Sequence, residues 1–483
     1  MKSTLLVLLF IQTQILNAQT FKEVPFEFDG VGLSSVAFSD VNGDGYYEAL
    51  ITGENSSGSL IANLCSNNST GGFSAMTDQP FVGVRFGSTA FSDVNGDGYN
   101  DVLITGLNSS FERIAQLYTN DGIGTFTEKT ETPFDGVSNS SIAFSDVNGD
   151  GYNDVLIAGL NNSAEQIAKL YTNDGTGTFT EMPNTPFDGV WLGSVAFSDI
   201  NSDGHDDVLL TGLNSSGERI AKLYTNDGAG VFTEITAHPF DGVSDSSIAF
   251  SDVNGDGYDD VLITGLNSSA ERIAKLYTND GTGTFTEMTN TPFDGVSDSS
   301  VAFSDVNSDG YGDILITGQK SSGERIAKLY TNDGTGIFTE ITDTPFEGVR
   351  VGSVALSDVN GDGYNDVLIT GLNNSGVLIA KLYTNDGPVS FAGNTHFTIS
   401  TDLVLFPNPS TTATLLLRYN SPEMGTIIIK VYDTNGRLLL QQKEYAIIGQ
   451  QAFSIDMTTL NGGTYFLELA HGQRKKVVPF IVQ

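Results

Sequence analysis

The sequence predicts an all-β protein, a seven-bladed β-propeller followed by a small C-terminal β-sandwich. Three observations predict it. A 53-residue unit recurs seven times without insertion or deletion. Each unit alternates apolar strand patterns with Asn/Asp/Gly clusters. The acidic excess stops near residue 397, where a second composition begins. The 483 residues hold 59 acids and 22 bases, a formal charge of −37. That opposes nucleic-acid binding, which needs basic surface to displace counterions, and docking to anionic membranes. Hydrophobic residues make up 39%, too many for a disordered acidic chain. Fifty-five glycines and six methionines point to turns rather than helices. One cysteine, Cys65, excludes an intramolecular disulfide framework.

The elements follow in chain order. Residues 1–18, MKSTLLVLLFIQTQILNA, place Lys2 before an apolar run and Ala18 at a cleavage position. This reads as a secretory signal peptide. No cysteine follows it, as a lipoprotein would need, and no other segment approaches the ~18 apolar residues that span a bilayer. The mature protein is expected outside the cytoplasm, without membrane insertion.

Residues 19–397 carry the repeats. Acidic loops begin at Asp40, Asp93, Asp146, Asp199, Asp252, Asp305 and Asp358. Phe73, Phe126, Phe179, Phe232, Phe285, Phe338 and Phe391 mark the same period. In the third copy Ser140–Ser145 alternates and is rich in small residues, suited to a crowded axis. Asp154 opens a continuous apolar run, as for a strand buried on both faces. Gln166–Tyr171 alternates again, and Thr178–Met182 is a shorter, polar edge. Four antiparallel strands per unit, seven times over, describe a propeller. A solenoid would want polar caps at its ends. The segment Phe21–Val24 is an eighth fourth-strand candidate, so either it or the Phe391 segment completes the last blade.

Each loop puts carboxylate or amide at positions 1, 3, 5 and 9, with a backbone carbonyl at position 7. The seven sets are Asp40, Asn42, Asp44, Tyr46 and Glu48; Asp93, Asn95, Asp97, Tyr99 and Asp101; Asp146, Asn148, Asp150, Tyr152 and Asp154; Asp199, Asn201, Asp203, His205 and Asp207; Asp252, Asn254, Asp256, Tyr258 and Asp260; Asp305, Asn307, Asp309, Tyr311 and Asp313; Asp358, Asn360, Asp362, Tyr364 and Asp366. Hard oxygens on alternate residues of a tight turn, with glycine at position 6, follow calcium-loop logic. Position 12 is apolar and strands flank the loop, so this is neither an EF-hand nor a dockerin. Ordinary hairpin turns need glycine and asparagine, but no turn rule asks for an acid at position 9. Three crowded carboxylates repel without a cation. Up to seven structural Ca²⁺ ions are expected, with magnesium disfavoured because it keeps its waters. Three acids in each of seven loops account for 21 of the 59. At the ~0.1–1 mM dissociation constants of extracellular modules, ~1 mM calcium adds about 0.4–1.4 kcal/mol per site.

The unit, with FSDVNGDGY and later LYTNDGTGTF, resembles the FG-GAP/VCBS repeats of integrin α-subunit propellers and related bacterial and lectin propellers. The resemblance covers residues ~21–391 and implies seven blades with calcium in the first hairpin of each. Only Ser202 and Ser308 replace glycine at position 4, which gives no side-chain ligand.

Residues 398–483 hold seven bases and six acids. The runs ATLLLRY, GTIIIKVYD, RLLLQQ, TYFLELA and VVPFIV, with turn signals between, read as a small sandwich. Leu405-Phe406-Pro407-Asn408-Pro409, Val431–Arg437 and Leu460–Leu469 resemble the C-terminal sorting domain of type IX secretion cargo in Bacteroidetes. That implies export by the type IX machinery, removal of the tail, and either surface attachment or release.

A ligand is expected on the face opposite the calcium loops, where the copies differ. After the Gly-Val of each 4–1 loop come Gly32, Arg85, Ser138, Trp191, Ser244, Ser297 and Arg350. Phe111 stands where other copies have Ala164, Gly217, Ala270 or Gly323. Arg85, Phe111, Trp191 and Arg350 are the candidate recognition residues, since aromatics and arginines anchor binding patches. Drift in exposed loops is the competing reading. His205, His238, His396 and His471 show no acid or nucleophile arrangement. The expected function is binding of glycans or polysaccharide. A protein-binding adhesin or scaffold, and a polysaccharide-acting enzyme, are the alternatives.

Overall fold

The apolar runs become strands because β-branched and aromatic residues fill them and Asn/Asp/Gly clusters end them. In the computed structural model the third copy has strands Val137–Ser145, Asp154–Asn161, Gln166–Asn173 and Phe179–Glu181, each antiparallel to the next. The same four-strand pattern recurs along residues 19–388. The structure describes residues 19–26, 28–68 and 71–388. Beyond these it describes the stretches 403–406, 414–421, 424–432, 437–446, 449–458, 460, 462–471 and 474–482. Every regular element among them is a strand. Two compact units result, Ala18–Pro388 and Val389–Gln483.

The second strand of each copy is buried along its length, as its unbroken apolar run implies; Val155, Leu156 and Ile157 are all 0% exposed. The cores lie between copies rather than within them. One cluster joins Leu103 and Leu117 to Val155, Ile157 and Tyr171. Another joins Val31, Val36 and Ile51 to Val359, Leu368 and Leu382. Each copy also has a glycine whose missing side chain admits its neighbour. A Cβ on Gly136 would lie 1.9 Å from the Arg113 carbonyl oxygen.

The N-terminal strand Gln19–Glu23 pairs antiparallel with Leu378–Pro388, with Phe21 opposite Asn385. This copies Phe126 opposite Asn120. Phe21 also meets the Phe346 ring at 4.8 Å. The Phe391 segment lies outside the described residues, as do residues 1–18 and His396.

The first strand takes two forms. In four copies it is continuous, as in Val137–Ser145. In the others glycine splits it, into Val84–Arg85 and Thr89–Ser92, for example. There Gly87 lies so close to the Thr105 carbonyl that a Cβ would meet it at 1.9 Å. Gly193 and Gly352 do the same. These three copies carry Arg85, Trp191 and Arg350.

The second unit has a sheet of Leu403–Phe406, Thr414–Ser421 and Gly449–Asp456, and a sheet ordered Leu438–Ala446, Gly425–Tyr432, Gly463–His471, Arg474–Val482. Leu415, Leu417 and Ile455 from the first share a buried core with Ile427, Ile429, Leu467 and Phe480 from the second.

Candidate metal centre and opposite face

The acidic loops are built by their own backbone. In the third copy Asp146 Oδ1 accepts the Gly149 and Asp150 N–H groups at 2.8 and 3.1 Å, and Oδ2 accepts that of Gly151 at 2.8 Å. Asn148 Oδ1 accepts the Asp150 N–H, and Asp150 Oδ1 that of Tyr152, both at 2.9 Å. Glycine at position 4 lies in the left-handed region, as Gly149 does at φ 74°. Ser202 and Ser308 hold the same conformation at φ 60°.

Position 9 has a different part. Asp154 is fully buried; Oδ2 accepts the Val147 N–H at 3.2 Å and Oδ1 the Asn173 N–H at 2.8 Å. The acid therefore ties the loop to the end of the third strand, a structural demand that turn rules do not contain. Burial pushes its carboxyl up to about 6, and Asp150 and Asp146 add to the rise. Glu48, Asp207, Asp313 and Asp366 rise to about 7, Asp101 and Asp260 to about 6, from the same causes.

The sequence reading missed the asparagine that completes this arrangement. Asn173 Nδ2 donates to the Val94 carbonyl of the preceding copy at 2.9 Å and to the Asn153 carbonyl at 3.2 Å, while Oδ1 accepts the Gly175 N–H. Asn120, Asn226, Asn279, Asn332 and Asn385 donate to the preceding copy likewise. Asn67 donates to Val359, in the last copy, at 2.6 Å. The signal was the Asn of the recurring TND triplet. The position-7 ring also has a use. Tyr99, Tyr152 and His205 cover Gly122, Gly175 and Gly228, where a Cβ would touch the ring within 2.6 Å.

The donor chemistry of each loop suits a hard cation. A buried carboxylate with no cationic partner among the described residues sits within electrostatic reach of two more. As they stand, the side chains turn their oxygens to backbone N–H groups. Among the described residues no three Asp, Glu, His or Cys side chains gather about one point.

On the varied residues the structure is specific. Arg85 pairs with Glu54 and lies 5.5 Å from the Phe86 ring centre. Arg350 reaches Asp298 at 3.5 Å and Gln319 at 3.4 Å. Trp191 is half-buried on Val190–Trp191. Phe111 is 74% exposed and holds φ 61°, a turn position filled by glycine or alanine in the other copies. No hydrogen bond or ion pair joins any two of the four among the described residues. Beside them runs a feature without sequence warning. Leu33, Phe86, Asn139, Leu192, Asp245, Asp298 and Val351 all have φ of 47–54°. Phe86, Asn139, Leu192 and Asp245 each donate their N–H to the preceding member, Val351 donates to Asp298, and Leu33 donates to Val351 at 2.6 Å. His238 stacks on Phe240 and burial lowers its pKa.

Comparison with known proteins follows the repeats. Residues 93–157, 146–210, 199–263, 252–316 and 305–369 match the FG-GAP-like repeat. They span 93–369, which is 277 of the 483 residues. Residues 404–483 match the secretion system C-terminal sorting domain, which implies interaction with the type IX machinery. No curated protein matches. Among solved structures, AofleA from Arthrobotrys oligospora is 13% identical, with 66% of this chain and 88% of that one covered and a TM-score of 0.39. A thermostable family-43 glycoside hydrolase is 11% identical, covering 53% and 91%, with a TM-score of 0.29. PorU from Porphyromonas gingivalis is 12% identical, covering 75% and 35%, with a TM-score of 0.15. The chain thus belongs to the FG-GAP-like repeat family and, with its type IX sorting domain, is a secreted, cell-surface protein.

Proposed function

We propose that residues 19–388 form a closed seven-bladed propeller that calcium stabilises and that presents a glycan-binding face. Closure is supported by three first-to-last links. These are the Gln19–Glu23 strand on Leu378–Pro388, Asn67 on Val359, and Leu33 on Val351. Calcium would be held in each loop by the side chains at positions 1, 3, 5 and 9 and the carbonyl at position 7. When bound it supplies positive charge to a buried carboxylate that lacks any. The loop residues themselves order the hairpin and lock it to the third strand.

Phe111 carries the reading of a binding face. A side chain in the left-handed region costs about 1–2 kcal/mol; four equivalent positions avoid that cost with glycine, and Ala164 and Ala270 carry only a methyl group there. Retaining a 74% exposed aromatic ring there suits a flat, partly apolar partner such as a sugar ring. The function proposed is binding, with no catalytic role for the histidines. A glycan array in millimolar calcium tests it, with Phe111→Ala and Trp191→Ala beside the natural chain. The reading expects chelator-sensitive binding that both substitutions weaken. Binding to no glycan, with capture of a surface protein instead, would replace it with an adhesin.

A further inference from the structure

The first copy departs from the repeat at one place. Where it has Cys65, the other six have Tyr118, Tyr171, Tyr224, Tyr277, Tyr330 and Tyr383, all fully buried. The Tyr118 ring stands edge-on to Phe81 at 4.9 Å, and its phenol oxygen accepts the Val82 N–H at 3.2 Å. Two residues earlier in copies three to seven, a lysine bridges two acids. Lys169 reaches Asp135 at 2.7 Å and Glu181 at 3.0 Å. Lys222, Lys275, Lys328 and Lys381 repeat the bridge. The first copy has Asn63 for the lysine, Cys65 for the tyrosine and Ala75 for the strand-four glutamate, yet keeps Asp29 in the place of Asp135.

The three truncations meet in one cavity of about 160 Å³. Asp29, Asn63, Cys65 and Ala75 line it, with Phe26, Phe28, Ile51 and Ile61 as apolar walls. Phe26 stands edge-on to Phe28 at 4.7 Å and 81°, taking the ring contact of the missing tyrosine without closing the space. Asp29 is exposed and has no ion pair among the described residues. Cys65 is 5% exposed, and burial pushes its thiol up to about 11. At neutral pH it is an uncharged wall rather than a nucleophile.

We propose that this cavity binds a small aromatic amine, with the ring in the space of the missing phenol and the ammonium group paired with Asp29 in place of the missing lysine. Size and charge both favour it. An apolar cavity of about 150 Å³ admits a benzene ring, and a carboxylate at the rim selects a cation. The site uses none of the acidic-loop residues and none of the four varied residues.

Tyramine titrated into the full chain by calorimetry tests the proposal, with phenol as the uncharged comparison. Saturable binding at millimolar tyramine or below is expected, with phenol about tenfold weaker. Cys65→Tyr refills the cavity and should cut tyramine affinity at least tenfold. Asn63→Lys gives Asp29 an internal partner and should cost about tenfold without filling the cavity. A thermal melt of each variant checks folding, and if Cys65→Tyr does not fold, Asn63→Lys decides alone. Absence of saturable tyramine binding to the folded natural chain, or unchanged affinity in the folded variants, overturns the proposal.

Discussion

Replacing Asn173 by alanine tests how successive copies are fastened. The side chain makes three hydrogen bonds in a site 3% exposed. Two carbonyls, of Val94 and Asn153, lose their donor, and the Gly175 N–H loses its acceptor. Each bond is worth about 0.5–1.5 kcal/mol net, and a buried group left unpaired costs about 1–3 kcal/mol. The change should therefore cost about 2–4 kcal/mol. Asn173→Asp keeps the acceptor but turns a second oxygen towards the Val94 carbonyl, close to buried Asp154. It should cost at least as much, although its shape is nearly the same. Urea unfolding followed by tyrosine fluorescence reads both, with the slope checked against the natural chain to confirm that the same surface unfolds. A shift below about 0.5 kcal/mol for alanine, the size of a neutral surface change, would refute the fastening role.

Other outcomes follow from the same geometry. In chelator, the raised carboxyls at position 9 should make the chain less stable as pH rises from 5 to 8. Their folded pKa values of about 6 to 7 exceed the ordinary carboxylate value, so the proton-bound form favours folding and its contribution is lost as pH rises through that range. Millimolar calcium should remove or reverse the trend in thermal melts. Phe111→Gly relieves the left-handed strain and should stabilise by about 1 kcal/mol, while weakening any glycan binding; a destabilised variant would contradict the turn geometry. Gly136→Ala drives a Cβ into the Arg113 carbonyl and should cost more than about 3 kcal/mol, as overpacking of a closed contact does, read by loss of soluble secreted protein.

The sequence made the regular parts legible and hid the parts that depend on neighbours. Strand boundaries in the third copy could be read to within three residues, because the apolar period and the Asn/Asp/Gly clusters are local signals. The N-terminal strand was legible as an alternative because Phe21-Lys22-Glu23 mimics Phe126-Thr127-Glu128. The acid at position 9 was seen, but half of its role was missed. Its partners are backbone N–H groups of Val147 and Asn173, one seven residues away and one nineteen. The left-handed row from Leu33 to Val351 could not be foreseen, since leucine, phenylalanine and valine avoid that region and only contact with the next copy holds them there. Cys65 was read as the absence of a disulfide. Its meaning came from six tyrosines at the same position, a comparison the sequence held in plain view.

The strand Gln19–Glu23 has a consequence for how the chain reaches its final form. Lys22 pairs with Asp386, a partner 364 residues later. The earliest strand to leave the ribosome must wait for the latest of its unit. Copies can assemble on their predecessors as they appear, but the last repeat stays one strand short until its far end is made. Contacts of such separation form slowly, because the loop entropy is lost before the pairing repays it. A final step that only the whole unit can take therefore sets when the repeats lock together.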